Sequence, residues 1–526
     1  MQRILTAREM READRRTIEE SGVAGLILME NAASRVVEAL IERFGPLESQ
    51  RLLIVCGKGA NGGDGLAVAR QLLVRRLVSD LEVVLCADAE SLSGDPAVQW
   101  RMLQAQEFEP RVAEDIEQWR ALRERTLRAT IVVDALLGTG LSGPARGFLA
   151  DVIDDLTENH AHSRFLAIDM PSGLPSDDAD ADGPVAPAEC TVTFTAPKVS
   201  QVFPPNSERV GDLRVGRIGT SEKLLQELPG DPLLLFEGAD CRPFLAPRKN
   251  TSHKGSFGHV LAVGGSRAKP GAILMTATAA ARMGAGLTTV LTARGAAPAI
   301  AARTPELMTE PAEELEDGSM GATAWRPDRF ERATVVAVGP GLGTDGDNQQ
   351  LVRRIVAQVS KPLVVDADGL TALAKGQDEV WRTPSPALVL TPHPGEMARL
   401  TGLETGEVLA RRVETARDFS RRRNAYVVLK GYRTVTACPD GRVYVNPTGT
   451  PAMATGGSGD ILTGMIAGLL AQFPDEDPGR VVAAAVWLHG CAGQIAAQHR
   501  TEQTTLAMDL LDALPGAIRE ARGGGE

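Results

Sequence analysis

Asn446-Pro447-Thr448-Gly449-Thr450-Pro451-Ala452-Met453-Ala454-Thr455-Gly456-Gly457-Ser458-Gly459-Asp460 runs directly into the apolar segment Ile461-Leu462-Thr463-Gly464-Met465-Ile466. A run of small residues ends in one acid, and a helix pattern begins. Gly456, Gly457 and Gly459 let backbone N–H groups approach a ligand closely, and a helix N-terminus adds partial positive charge, so the stretch reads as a seat for phosphate. Asp460 would stand beside the bound anion, where a carboxylate is electrostatically costly unless it has chemistry to do. The chemistry that fits is acceptance of a proton from a hydroxyl that attacks the phosphate. The plainer interpretation is a glycine-rich turn with an acidic helix start.

Working outward, the second half alternates strands and helices. Residues 258–266 form a strand entering a glycine turn, and 271–285 an alanine-rich helix. Strand patterns follow at 333–339 before Pro340-Gly341-Leu342-Gly343, at 362–366, at 387–390 before Thr391-Pro392-His393-Pro394-Gly395-Glu396, and at 426–429 before Lys430-Gly431. Several strands end in Gly, Asp, His or Lys, and ligands of open α/β sheets gather at the carboxyl ends of strands. His393, held between two prolines, is presented rigidly for a ligand. Lys430-Gly431-Tyr432-Arg433-Thr434 offers a cation and a hydroxyl to a nucleotide phosphate, or is a hairpin turn with a solvated lysine. His489, inside an apolar helix pattern, reads as a core or capping histidine. No Gly-x-x-x-x-Gly-Lys-[Ser/Thr] occurs, which excludes a P-loop.

The first half repeats the plan. Two helices, over 6–20 and 25–44, open the chain. The apolar run 51–56 then meets Gly57-Lys58-Gly59-Ala60-Asn61-Gly62-Gly63-Asp64-Gly65, followed by a helix pattern over 66–77 and a strand over 81–86. Gly57-x-Gly59-x-x-Gly62 formally matches the dinucleotide fingerprint, with Asp88 at a plausible ribose distance, but an amide and a carboxylate packed into one loop are not needed by a redox Rossmann turn. Two further strands deliver Asp134 and Asp169 to glycine turns, the second within Asp-x-Pro-Ser-Gly, and a last strand lies near 190–194 before an exposed-looking Lys198. Asp134 and Asp169 converging with Asn61 make a cage of hard oxygen ligands for a cation, or include an acid/base pair.

At 526 residues, 43% apolar and 24% charged, the chain is globular and too long for one ordinary domain. A net charge of -12 argues against nucleic acid and anionic membranes as partners. Six scattered cysteines form no C-x-x-C pair, which argues against a zinc site or a disulfide framework and fits a reducing cytoplasm. No apolar h-region opens the chain, and no stretch approaches membrane-spanning length without charges or helix breakers. The pattern loses definition around 220–240, with Pro229-Gly230-Asp231-Pro232 as its clearest breaker, so domains are expected at 1–220 and 241–526 with a linker at 221–240.

Together these residues resemble the bifunctional NAD(P)H-hydrate repair enzymes, an epimerase domain fused to a dehydratase domain. The resemblance covers nearly the full length, through 57–65, 133–140, 167–174 and 193–198, then 253–266, 339–343, 391–396, 430–434 and 446–460. It implies two three-layer α/β/α domains, the first Rossmann-like and the second ribokinase-like. It implies a potassium ion among Asn61, Asp134 and Ser172; Asp134 is also taken as the candidate for proton transfer, a choice among the first-domain acids that the sequence leaves open. The hydrated nicotinamide nucleotide would contact Ala60, Asn61, Gly62, Gly63 and Asp64, then Gly138, Thr139, Gly140, Leu141, Ser142, Gly143 and Pro144, and Asp169. In the dehydratase half, Ala272, Gly341, His393 and Asp460 would face the same substrate, while Lys430, Gly431, Tyr432, Arg433, Thr434 and Gly459 hold ADP with its Mg2+. Asp460 would be the catalytic base, and the enzyme a cytoplasmic homo-oligomer acting on small molecules. The chain departs from the family at Ala60 and Thr450, where asparagine is usual; the first change removes one amide from the substrate loop.

Overall fold

A computed structural model describes all residues except 142, 179–181, 377–380 and 524–526. The chain divides into two compact units, Arg3–Gly230 and Asp231–Glu526, the latter joined by Met1–Gln2.

In the first unit seven parallel strands lie in the order Arg111–Val112, Asp80–Leu85, Arg51–Cys56, Ile131–Ala135, Arg164–Ile168, Cys190–Phe194, Asp212–Gly216. Alternation along Arg51–Cys56 sends Leu52, Ile54 and Cys56 to one apolar layer, with the helices Gly25–Phe44 and Ala60–Val74. Leu53 and Val55 go to the other, with Trp119 and the helix Phe148–Asn159. A strand buried on both faces requires this near-continuous apolar sequence. The chain leaves Arg51–Cys56 towards one edge and returns at Ile131–Ala135 towards the other, so the switch point of the sheet lies between these two strands. The strand Asp212–Gly216 extends the sheet beyond the last one expected, because its half-buried Leu213 and Val215 alternate with Asp212 and Arg214 and give little apolar signal.

In the second unit the order is Leu233–Leu235, Val443–Val445, Val435–Ala437, Tyr426–Leu429, Leu388–Leu390, Leu363–Val365, Val335–Val338, His259–Val263, Leu287–Ala293, Met308–Ala312. Strands from Met308–Ala312 to Tyr426–Leu429 are parallel, and the two that follow Tyr426–Leu429 are antiparallel. The helices Ser458–Gln472, Pro478–Arg500 and Ala507–Arg522 pack over Val260, Val335, Val364, Val389 and Val428. Pro478–Arg500 is long and apolar enough by composition to cross a membrane, but 78% of its apolar window is buried in this core. Here the switch point lies between His259–Val263 and Val335–Val338.

The stretch 221–240 is more than a linker. It carries a short helix, Glu222–Gln226, whose Leu224 packs with Leu5, Met10 and Ala196, and then the strand Leu233–Leu235. Both elements are too short for a periodic signal, and Pro229-Gly230-Asp231-Pro232 masks them.

Candidate active sites

In the first unit the loop after Arg51–Cys56 turns tightly. A Cβ on Gly62 would lie 1.7 Å from the Gly57 carbonyl oxygen, so only glycine permits this turn. The helix then begins at Ala60, exposed, and buries Asn61, Gly62 and Gly63 in its first turn. Asn61 Nδ2 donates to the Leu137 carbonyl at 3.0 Å, while its Oδ1 is buried without a partner among the described residues. Across the switch point Asp134, fully buried, accepts at Oδ1 from Ser172 Oγ (2.5 Å) and Leu136 N–H (3.2 Å), and at Oδ2 from Ser172 N–H (2.7 Å). Burial pushes its carboxyl up to about 6 against the opposing pull of the Ser172 bonds. Ser172 Oγ also accepts from Leu137 N–H at 2.8 Å.

Asn61, Asp134 and Ser172 thus converge on the backbone of 136–137. Gly138 packs on Asn61, leaving only 3.2 Å to that side chain from any added Cβ, and Thr139, Gly140, Leu141, Gly143 and Pro144 continue as a partly exposed loop. Ser142 lies outside the described residues.

Asp169 adopts φ 61°, a left-handed conformation costly for a non-glycine residue. It is held there by Gln201 Nε2 on its carbonyl (2.6 Å) and by Lys198 Nζ on its Oδ1 (2.6 Å). Lys198 is not exposed as its sequence context suggests. It is completely buried, and its ammonium also donates to Thr193 Oγ1 (2.7 Å) and the Phe194 carbonyl (3.1 Å). A buried charge persists only when paired and hydrogen-bonded, and the partner comes from the neighbouring strand, which no local pattern announces. Asp64 feels the same charges: burial first, then the Asp169 and Asp14 charges, drive its carboxyl well above the usual range, against the pull of Lys198. Asp88 caps a short turn through Glu90 N–H.

In the second unit the stretch 446–460 folds as read, with Gly457 at φ 96° immediately before the helix Ser458–Gln472 and Asp460 in its first turn. A Cβ on Gly457 would lie 2.5 Å from Met275 Sδ, so bulk and conformation both select glycine. A cleft of about 550 Å3 is lined by His393, Lys430, Gly431, Tyr432, Thr434, Ser458, Gly459 and His489 among others. Lys430–Thr434 is the hairpin between antiparallel strands, yet its lysine is not solvated: Nζ lies 3.0 Å from Asp366 Oδ1 and 3.9 Å from Glu396 Oε2. Burial disfavours the ammonium, but Asp366 and Glu396 more than offset this and raise its affinity for the proton. Arg433 turns away to the Pro447 carbonyl (2.8 Å).

His393 caps the helix Pro394–Thr401, accepting from Gly395 N–H at 3.1 Å, with its ring still half-exposed on the cleft. His489 is buried at the back, 3.0 Å from the Ser458 carbonyl, and burial pulls it down to about 4, so it is neutral. Gly341, at φ 66°, packs on Ala272, where an added Cβ would come within 3.1 Å of the alanine methyl; both sit at the switch point. Asp460 is pushed up to about 7, first by burial, then by the Asp366 charge, with Lys430 opposing. Asp366 is the residue that sequence inspection passes over, although its place at the end of a strand matches that of Asp134 and Asp169.

A family model described as NAD(P)H-hydrate dehydratase matches residues 260–516, and one described as YjeF-related protein N-terminus matches 25–200. The bifunctional NAD(P)H-hydrate repair enzyme of Moorella thermoacetica is 42% identical over 98% of this chain and 96% of its own. The chain belongs to this family of bifunctional NAD(P)H-hydrate repair enzymes. The family's Escherichia coli member is 33% identical, over 94% of this chain and 90% of its own. Among solved structures, the ADP/ATP-dependent NAD(P)H-hydrate dehydratase of Bacillus subtilis, co-crystallised with ATP and Mg2+, is 33% identical over 55% of this chain and 98% of its own, with a TM-score of 0.47. Within the family frame, the first unit is the epimerase part and the second the dehydratase part.

Proposed function

We propose that the chain repairs hydrated nicotinamide dinucleotides, its first unit interconverting the R and S hydrates and its second dehydrating the S form with ADP. The observation that carries the second step is Asp460, a carboxyl lifted to about 7 in the first turn of a glycine-led helix. A group of that strength accepts a proton near neutrality. Asp460 takes the proton of the ring hydroxyl as that oxygen attacks the terminal phosphoryl group of ADP. Gly459 and the helix N-terminus, with Lys430, stabilise the charge on the transferring group. AMP leaves. The hydroxyl has become a phosphate ester, so phosphate departs with its bonding electrons, and loss of the neighbouring ring proton restores NADH or NADPH. Lys430, Gly431, Tyr432 and Thr434 line the nucleotide side of the cleft, and Ala272, Gly341 and His393 are assigned to the hydrate; Mg2+ accompanies ADP.

In the first unit the unpartnered Asn61 Oδ1, together with Asp134 and Ser172 oxygens, fits an alkali cation, a hard ion suited to an all-oxygen donor set. Potassium bound there would supply fixed positive charge for the substrate phosphates. Asp64 and Asp169, rather than Asp134, are assigned to the hydrate ring and the protons of epimerisation, because the Asp134 carboxylate already accepts three bonds from Ser172 and Leu136 and keeps its remaining lone pair for the cation.

The test is a mixture of R and S hydrates with the protein and either ADP or ATP, followed by dihydronicotinamide absorbance. Full recovery with ADP is expected. Phosphate transfer without recovery would instead make the second unit a small-molecule kinase. Recovery of only the S half would leave the first unit a scaffold.

A further inference from the structure

The helix Ala7–Glu19 lies before the first matched family region, which begins at residue 25. It is nevertheless fastened to the epimerase pocket. Leu5 bridges Lys198, with its N–H on the Pro197 carbonyl at 2.9 Å. Ala7 N–H donates to Asp177 Oδ1 at 2.6 Å, and Thr17 Oγ1 meets Thr220 Oγ1 at 3.0 Å. Met10 and Ala13 pack with Ala196, two residues before the buried lysine. Asp14 follows Ala13 on this inner side, and its Oδ1 is shut off from water without a hydrogen-bond partner among the described residues. Such an atom is costly to leave unpaired, and nothing in the helix needs it.

The charges that act on Asp14 are those of Lys198 and of Asp169, in the turn after Arg164–Ile168, and Asp14 in turn acts on Asp64 of the helix Ala60–Val74. Three carboxyls therefore share the field of one ammonium. That ammonium spends its three donors on Asp169, Thr193 and Phe194, so among the described residues neither Asp14 nor Asp64 has its own ion-pair partner. We propose that Asp14 is a positioning residue of the epimerase site, set by the first helix beside the Lys198 segment so that its negative charge keeps a proton on Asp64. The raised proton affinities of Asp14 and Asp64, both due first to burial, agree with this charge count.

The proton has a use in the reaction, on the reading that Asp64 and Asp169 face the hydrate. Water adds to the dihydropyridine enamine at the carbon beside the ring nitrogen, giving a hemiaminal. To invert that carbon, the hydroxyl proton passes to the ionised Asp169 while the C–N bond breaks. The bond's electron pair goes to nitrogen, which takes the proton from Asp64, and the hydroxyl carbon becomes an aldehyde. After the aldehyde turns, reclosure on its other face reverses both transfers, with no oxidant or co-substrate consumed. One ionised and one protonated carboxyl are required, and the negative charge of Asp14 keeps the proton on Asp64.

The test is epimer interconversion by the full-length protein without ADP, across pH 5.5–9, for wild type, Asp14→Asn and Asp14→Ser. Dehydration of the S hydrate by the same samples reports the state of the rest of the chain. Removal of the Asp14 charge is expected to lower kcat about tenfold at neutral pH with KM little changed, and to move the alkaline limb of the profile to lower pH, because Asp64 then loses its proton sooner. Should one variant not fold, the other carries the same expectation. An alkaline limb that coincides with wild type, whatever the rate, overturns the proposal. Wild type without epimerase activity would instead overturn the underlying assignment of the site.

Discussion

Lys430 Nζ stands 3.0 Å from Asp366 Oδ1, while Thr463 Oγ1 donates to Asp366 Oδ2 at 2.8 Å. One buried carboxylate thereby joins the end of a central strand, the hairpin Lys430–Thr434 and the helix that carries Asp460. Its charge both fixes the lysine and raises the affinity of Asp460 for a proton.

Asp366→Ala strands a largely buried ammonium and leaves the Thr463 hydroxyl without its acceptor. Loss of one partner of a buried pair costs about 3–5 kcal/mol, and the second unit should lose about that much in urea unfolding followed by its own signal. The proton affinity of Asp460 should fall as well, so residual dehydration, if the fold survives, should extend to lower pH.

The pH dependence of dehydration should follow Asp460. With its carboxyl at about 7, kcat/KM falls tenfold per unit below that value and levels above it. Asp460→Asn should abolish repair yet leave interconversion of the hydrates intact. The same group makes a stability prediction of definite sign. Its folded affinity for protons exceeds the unfolded one, so its contribution is full below about 4 and is lost as pH rises to about 7. Asp460→Asn should therefore be more stable than wild type at pH 8 by roughly 1–3 kcal/mol, and equal to it near pH 4.

Ser172→Ala removes the 2.5 Å bond to Asp134 and the acceptor of Leu137 N–H. The expected loss is about 1–3 kcal/mol, together with epimerase activity. Asp134, already raised to about 6, should rise further without the hydroxyl. Because a raised acid loses its contribution as pH rises through the window between the unfolded and folded values, the destabilisation should be larger at pH 8 than at pH 5. Denaturant melts at the two pH values check this.

Two glycines of the epimerase loops should answer oppositely to alanine. Gly62→Ala drives a methyl onto the Gly57 carbonyl, whereas a Cβ on Gly140 meets nothing within 4 Å. Gly62→Ala should unfold or inactivate the first unit. Gly140→Ala should fold normally, so any rise in its KM for the hydrate reports a substrate contact. Thermal melts beside epimerase kinetics separate the two.

Much of the fold was legible because its signals are local. Continuous apolar strands such as Arg51–Cys56 and Leu363–Val365 imply sheets covered on both faces, and glycines at strand ends imply ligand turns. The short elements Glu222–Gln226, Leu233–Leu235 and Asp212–Gly216 were not legible, since charged residues interrupt the first and last and Pro229-Gly230-Asp231-Pro232 masks the second. The hairpin Lys430–Thr434 and the glycine loop of 57–65 follow from motifs a few residues long, whereas the grouping of Asn61, Asp134 and Ser172 was expected only from the family resemblance.

The sequence by itself determined that a glycine turn delivers Asp460 to a helix start and that Asp134 and Asp169 end their strands, because these are matters of near-neighbour geometry. Only the tertiary structure decided that Lys198 is buried on Asp169, that Asp366 neutralises Lys430, and that Asp14 on the first helix feels the charges of Lys198 and Asp169. Those pairings join residues 29 to more than 60 positions apart. What makes them matter, desolvation of several charges in one small volume, exists only after the chain has closed around them.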